Sequence, residues 1–221
     1  MKMSDFLHIR PGVISSHPVI IFSIVGNFLM VLARMIYAGN LMYGFLLWNL
    51  FLAAIPLLIT KWLIRNHDKP RFIIASALLL WLLFLPNAPY IITDLVHLQE
   101  RPLVPYWYDM MLVFLSAFNG LAFGFISVSQ VEQLFFRRNK EMYLFPFRIA
   151  TIIAMSYGVY LGRYLRFNSW DALINPVTVM KGIAGSLHSG MAGFVFTFGF
   201  VLFMLYSFFT AVLPQQFQAA S

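Results

Sequence analysis

Phe84-Leu85-Pro86-Asn87-Ala88-Pro89-Tyr90-Ile91-Ile92-Thr93-Asp94-Leu95-Val96-His97-Leu98 closes an apolar run that begins near residue 71. Its reading decides the fold. Residues 71–85 are almost wholly apolar, as a membrane-crossing helix must be. Pro86 and Pro89 then lack the N–H that would continue the helix, and both are expected to end it near residue 89. After Pro89 the pattern turns amphipathic, with Ile91, Ile92, Leu95, Val96 and Leu98 opposing Thr93, Asp94 and His97. That predicts a short helix at the membrane interface. A carboxylate and an imidazole at the edge of hydrocarbon are costly to keep, and such groups usually have a function.

Outward from this stretch the same pattern recurs. Apolar runs at about 19–37, 41–60, 71–89, 109–131, 148–165 and 187–213 are each close to the roughly 20 residues needed to cross a bilayer. The chain of 221 residues is 61% hydrophobic and 10% charged, with mean hydropathy +0.79. A soluble domain is typically about 25% charged. The expected fold is all-α: a polytopic transmembrane helix bundle of about six spans, with a short interfacial helix in each of two outer loops. Lipid excludes open sheets, because their edge backbone groups find no partner there. Residues 1–18 form an N-terminal segment, 19–213 a single transmembrane domain and 214–221 a tail. The first apolar run contains Asn27 and Arg34 and has no clean small-x-small cleavage site, which argues against a cleaved signal peptide. Asn27 and Arg34 lie on one helical face and are expected to point into the bundle, unless Arg34 snorkels to the interface.

Orientation follows from the loop cations. Lys2, Arg10, Lys61, Arg65, Lys69, Arg71, Arg137, Arg138, Lys140 and Arg148 fall on one side; Arg34, Arg101, Arg163, Arg166 and Lys181 fall on the other. Both termini are therefore expected in the cytoplasm, with loops 90–108 and 166–186 outside. Tyr106, Trp107, Tyr108, Tyr164 and Trp170 flank these loops as an interfacial aromatic belt. The formal charge of +7 is accounted for by this asymmetry, and no nucleic-acid-binding motif accompanies it. No cysteine is present, so disulfides, thiolate metal sites and a Cys nucleophile are excluded. Hydrolase-elbow, Walker, dinucleotide and His-Glu-x-x-His patterns are absent too.

Two outer loops carry the chemistry. In the first, Asp94 and His97 are one helical turn apart and can touch. A carboxylate beside an imidazole fixes its tautomer and raises its basicity, the orienting half of base or nucleophilic catalysis. The competing reading is a solvated polar face. Asn87 follows the first proline, where it can satisfy a freed carbonyl or donate to a substrate oxygen. In the second loop, Arg163 and Arg166 sit one turn apart on the side that topology leaves poor in cations. Arginine forks suit phosphate or carboxylate, so an anionic lipid headgroup is the expected ligand class. The alternative is ion pairing to Asp94, Asp109 or Asp171. Asn168 and Asp171 read as a cap and acidic first turn of a short helix that Asn175-Pro176 ends. His188 could approach His97, but the spacing matches no metal signature, and neither metal nor cofactor is assigned. Small-residue spacings at Gly120/Gly124, Gly158/Gly162, Ser186/Gly190 and Ser189/Gly193 serve close helix packing within the chain or a homodimer seam.

The first loop stretch, and a second running Y-G-V-Y-L-G-R-Y-L-R-F-N-S-W-D over residues 157–171, resemble the two marked segments of an uncharacterised bacterial membrane family, the domain of unknown function 1361. The resemblance covers roughly residues 40–210. It implies a bacterial inner-membrane protein with no established activity. It marks Pro86, Asn87, Pro89, Tyr90, Asp94, His97, Gly162, Arg163, Arg166, Asn168, Trp170 and Asp171. Three readings follow. In the first, an enzyme acts on a lipid or lipid-linked substrate at the outer leaflet by acyl transfer or hydrolysis. His97, Asp94 and Asn87 then do the chemistry, and Arg163, Arg166, Asn168, Asp171, Tyr90 and Trp170 bind the substrate. The second is a non-catalytic accessory or lipid-binding protein, and the third a small transporter built on the broken third span.

Overall fold

A computed structural model describes residues 18–136, 141–187 and 189–212. Residues 1–17, including His8 and His17, lie outside the described residues, as do Arg137, Arg138, Lys140, His188 and the tail from 213. Helices α1 (Pro18–Ala38), α2 (Gly44–Arg65), α3 (Arg71–Phe84) and α4 (Asn87–Tyr90) lead into a 3₁₀ helix, Ile91–His97. Then come α5 (Tyr106–Phe136), α6 (Glu141–Tyr164), α7 (Asp171–Ile174), α8 (Pro176–Gly185) and α9 (Ser189–Val212). Among the described residues six helical segments are long and apolar enough to cross a membrane. The chain is a multi-pass membrane protein with an all-α bundle.

The third span differs from expectation. It runs from Arg71 to His97 rather than stopping near residue 89. Pro86 and Pro89 interrupt hydrogen bonding without turning the backbone away: Leu85, Pro86, Tyr90 and Ile91 all keep right-handed helical dihedrals. Shorter i→i+3 bonds, such as Ala88 N–H to the Leu85 carbonyl at 3.2 Å, replace part of the lost ladder. The expected short helix is present as α4 and the 3₁₀ turn, which continue directly from the end of α3. The second loop holds two short helices, α7 and α8, where one was expected. Pro176 opens α8 at its first turn, where the missing N–H costs nothing.

Helix α5 is the axis of the bundle, with the largest buried share of the six. It packs against α2 through Leu46, Leu50, Ala53, Leu112, Val113 and Ala117. A second core joins Trp81 of α3 and Leu85 just beyond it to Phe125, Val128, Met155 and Leu202. The broken segment is gripped by glycines from both sides. A Cβ on Gly120 would lie 2.7 Å from the Ala88 carbonyl oxygen, and one on Gly124 would lie 2.6 Å from the Ala88 Cβ. Across the segment, Gly158 abuts the Pro86 ring, and a Cβ on Gly162 would lie 3.1 Å from the Tyr90 ring. Both Gly-x-x-x-Gly pairs thus serve packing within the chain, admitting α4 between α5 and α6. Gly193 faces open space.

Helix α1 is held differently. Asn27 and Arg34 point into the bundle, as their shared face implies. Asn27 Nδ2 donates to Ser116 Oγ at 2.8 Å, and Ser23 Oγ donates to Asn119 Oδ1 at 2.6 Å. Arg34 meets Asp109 through two hydrogen bonds of 3.1 and 3.3 Å.

Candidate functional site

The two loops meet at one end of the bundle. Asn87 is the first bridge: its Nδ2 donates to the Phe84 carbonyl and to Ser169 Oγ, each at 2.8 Å. The first bond satisfies a carbonyl at the proline break; the second ties α4 to the turn before α7. Both amide hydrogens are therefore engaged by the protein, and neither is free for a substrate oxygen.

Asp94 is the buried anion of the site, 2% exposed. Asn49 Nδ2, from α2, donates to its Oδ2 at 2.9 Å. Arg163 Nη1 stands 3.5 Å from its Oδ1. The same Arg163 Nη1 lies 3.2 Å from His97 Nε2. A guanidinium carries no lone pair, so the imidazole accepts and its hydrogen sits on Nδ1. Asp94 and His97 do not hydrogen-bond to each other, although their spacing predicts contact. Arg163 stands between them, because the 3₁₀ turn sends Asp94 inward against α2 and leaves His97 exposed against the Phe45 ring, 5.9 Å between centroids. The unit is a three-member relay, Asp94–Arg163–His97, rather than a carboxylate–imidazole dyad.

The second loop is ordered by its own short bonds. Asp171 Oδ2 accepts the Asn168 backbone N–H at 2.6 Å and the Asn168 Nδ2 at 3.3 Å. The expected cap runs in reverse: the acidic side chain reaches back, and Asn168 does not cap α7. Trp170 packs edge-on to Trp48 of α2, 6.5 Å between centroids. Arg166 has φ +59°, a left-handed conformation that costs about 1 kcal/mol for a residue with a Cβ. The Phe167 N–H bonds back to the Leu161 carbonyl at 3.2 Å, which closes the end of α6 across Arg166, in the backbone region that glycine enters most easily. Arg166 is exposed and has no ion-pair or hydrogen-bond partner among the described residues.

Around these residues lies a cavity of about 900 Å³. Asn87, Tyr90, His97, Arg163, Arg166 and Asn168 line its polar end, with Ser169 and Trp170 beside them. Asp94 and Asp171 do not line it; Asp94 acts from behind Arg163. The remaining wall is apolar, with Leu79, Leu82 and Leu83 of α3, Ala154 and Leu161 of α6, and Val179 and Ile183 of α8. Leu79 and Leu82 are exposed on the bundle surface, so this wall is continuous with the hydrocarbon-facing side. The cavity has a charged end and a greasy end, the shape of a site for an amphiphile. No group of three potential metal ligands occurs among the described residues.

A family model described as "Protein of unknown function (DUF1361)" matches residues 48–205. The chain belongs to this family. The DUF1361 match includes the broken third span, both loops and every cavity-lining residue, and leaves α1 outside. Searches of curated proteins and of solved structures return no match. Of the residues that build the site, sequence reasoning missed Asn49, Trp48 and α8. Asn49 carried a signal: it is the one polar side chain in the run from Gly44 to Ile59, and an isolated polar group inside a span usually has a named partner.

Proposed function

We propose that the protein is an integral membrane enzyme acting on a lipid or lipid-linked substrate whose apolar part lies against α3, α6 and α8. The observation that carries this reading is the cavity, which pairs a titratable polar end with an apolar wall open to hydrocarbon. Acyl transfer or hydrolysis is the reaction class. His97 Nε2 takes the proton of the attacking hydroxyl or water while that oxygen bonds to the ester carbon and the carbonyl π pair moves onto its oxygen; collapse of this adduct breaks the ester C–O bond, and the leaving alkoxide takes the proton from His97. Arg163 must leave Nε2 for this step, and its remaining N–H groups face the developing oxyanion. Asp94 holds Arg163 in reach. Asn87 and Asn168 brace the walls, and Tyr90 and Trp170 shape the pocket. The distribution of Lys and Arg supports an orientation with this end of the bundle outside the cytoplasm.

A second reading has its own support. The polar groups of the relay and of Asn87 are largely engaged by other protein groups, as in a binding site without turnover. Lipid mass spectrometry separates the two. Total lipids and lipoprotein N-termini are compared in cells carrying wild type, empty vector or His97→Ala. A species changed by wild type and not by His97→Ala supports the enzyme. Identical profiles in all three remove it and leave the lipid-binding reading.

A further inference from the structure

The two arginines look equivalent in sequence, one turn apart and both lining the cavity. Their surroundings divide them. Arg163 lies in the last turn of α6, between the buried Asp94 carboxylate and the His97 ring, and its charge is matched inside the protein. Arg166 lies beyond the helix end, exposed and without a partner among the described residues. It also occupies the one backbone position in this turn that glycine fills at no cost. A cation needed only to complement the helix dipole, or to sit at the interface, could stand in the last turn in an ordinary conformation. The left-handed turn instead separates two side chains. Phe167 goes under α8, its ring against Gly182, and Arg166 goes to the cavity.

We infer that Arg166 alone is the anion-binding group of the cavity, taking the phosphate or carboxylate oxygens of an amphiphile's headgroup, whereas Arg163 is a positioning residue for His97. This rests on the cavity being an amphiphile site, as proposed above. The planar fork of Arg166 offers paired N–H donors to two oxygens of one headgroup, at the edge of a low-dielectric wall where the contact is poorly screened.

The test uses Arg166→Gly, because glycine suits the left-handed position and the variant keeps the turn. Purified full chain is titrated by native mass spectrometry with phosphatidylglycerol and with phosphatidylcholine of matched chains. Parallel titrations use glycerol 1-phosphate and inorganic phosphate. Wild type is expected to prefer phosphatidylglycerol. Arg166→Gly is expected to lose about tenfold or more in affinity for it, to lose less for phosphatidylcholine, whose choline already offsets its phosphate, and to melt at the same or a higher temperature. Arg163→Gln is expected to melt lower. Competition by glycerol 1-phosphate or inorganic phosphate alone, lost in Arg166→Gly, would assign the site to a soluble anion of the same chemistry. If wild type and Arg166→Gly bind phosphatidylglycerol equally, the assignment of Arg166 is overturned and the cavity reading stands. If wild type binds neither lipid, the cavity reading falls and takes this inference with it.

Discussion

Two Arg–Asp pairs sit near the same end of this bundle, and they are built for opposite ends. Arg34 and Asp109 are closed off, each side chain 1% exposed. Arg34 makes two bonds to the carboxylate, a third to Asn40 Oδ1 at 2.7 Å, and lies 4.5 Å from the Tyr43 ring centroid. Each of its three guanidinium nitrogens donates to a protein oxygen. Arg163 and Asp94 make one contact of 3.5 Å, with the arginine 19% exposed and a cavity beside it. Asp94 leans on Asn49 and His97 leans on Arg163, so each bond is one a ligand could exchange. The same residue types give a lock in one place and an adjustable relay in the other. What differs is how many partners the surroundings supply.

Breaking the lock should produce the largest effect. Arg34→Ala strands Asp109 in the bundle and is expected to cost about 3–5 kcal/mol, read as a large drop in melting temperature in detergent. The double variant Arg34→Met/Asp109→Leu should recover most of it, because removing both charges leaves nothing unpaired. Next comes the glycine cradle. Gly158→Ala pushes a methyl into the Pro86 ring, which cannot rotate away, at an expected cost of about 1–3 kcal/mol. Guanidine or thermal unfolding followed by circular dichroism reads it. Arg163→Ala is expected to cost about 1–2 kcal/mol, because Asp94 keeps Asn49 and the cavity admits water. A loss for Arg163→Ala equal to that for Arg34→Ala would erase the contrast between the two pairs. His97→Ala should shift stability by about 0.5 kcal/mol or less, being exposed and peripheral to packing. It should still abolish any lipid change that wild type produces, and a large melting shift here would assign His97 to structure instead.

Much of this was legible in sequence, for physical reasons. Apolar runs of bilayer length fix the spans, and the proline break and two loop motifs mark where polar groups collect. Asn27 and Arg34 share a helical face, so their burial follows from periodicity. What escaped is what depends on a third partner. The Asp94–His97 spacing predicts a dyad, and only the arrival of Arg163 from another span turns it into a relay. Asn87 is placed at the break by its proline neighbours, but its second bond goes to Ser169, which no local pattern indicates. The strain at Arg166 is equally silent, since an arginine codon says nothing of φ. Helix α8 was hidden because its residues are too few and too mixed to read as a span.

The central claim, that the cavity holds an amphiphile's chain, contrasts its leucine wall with the lipid-facing surface of α1. A phospholipid bearing a diazirine in its acyl chain, photolysed with the protein in nanodiscs, tests it directly. The account predicts labelling at Leu83 and Leu161 well above that at Phe22 and Val25, reduced by an excess of the unlabelled lipid. Equal labelling of the cavity wall and of α1, unaffected by competitor, would contradict it.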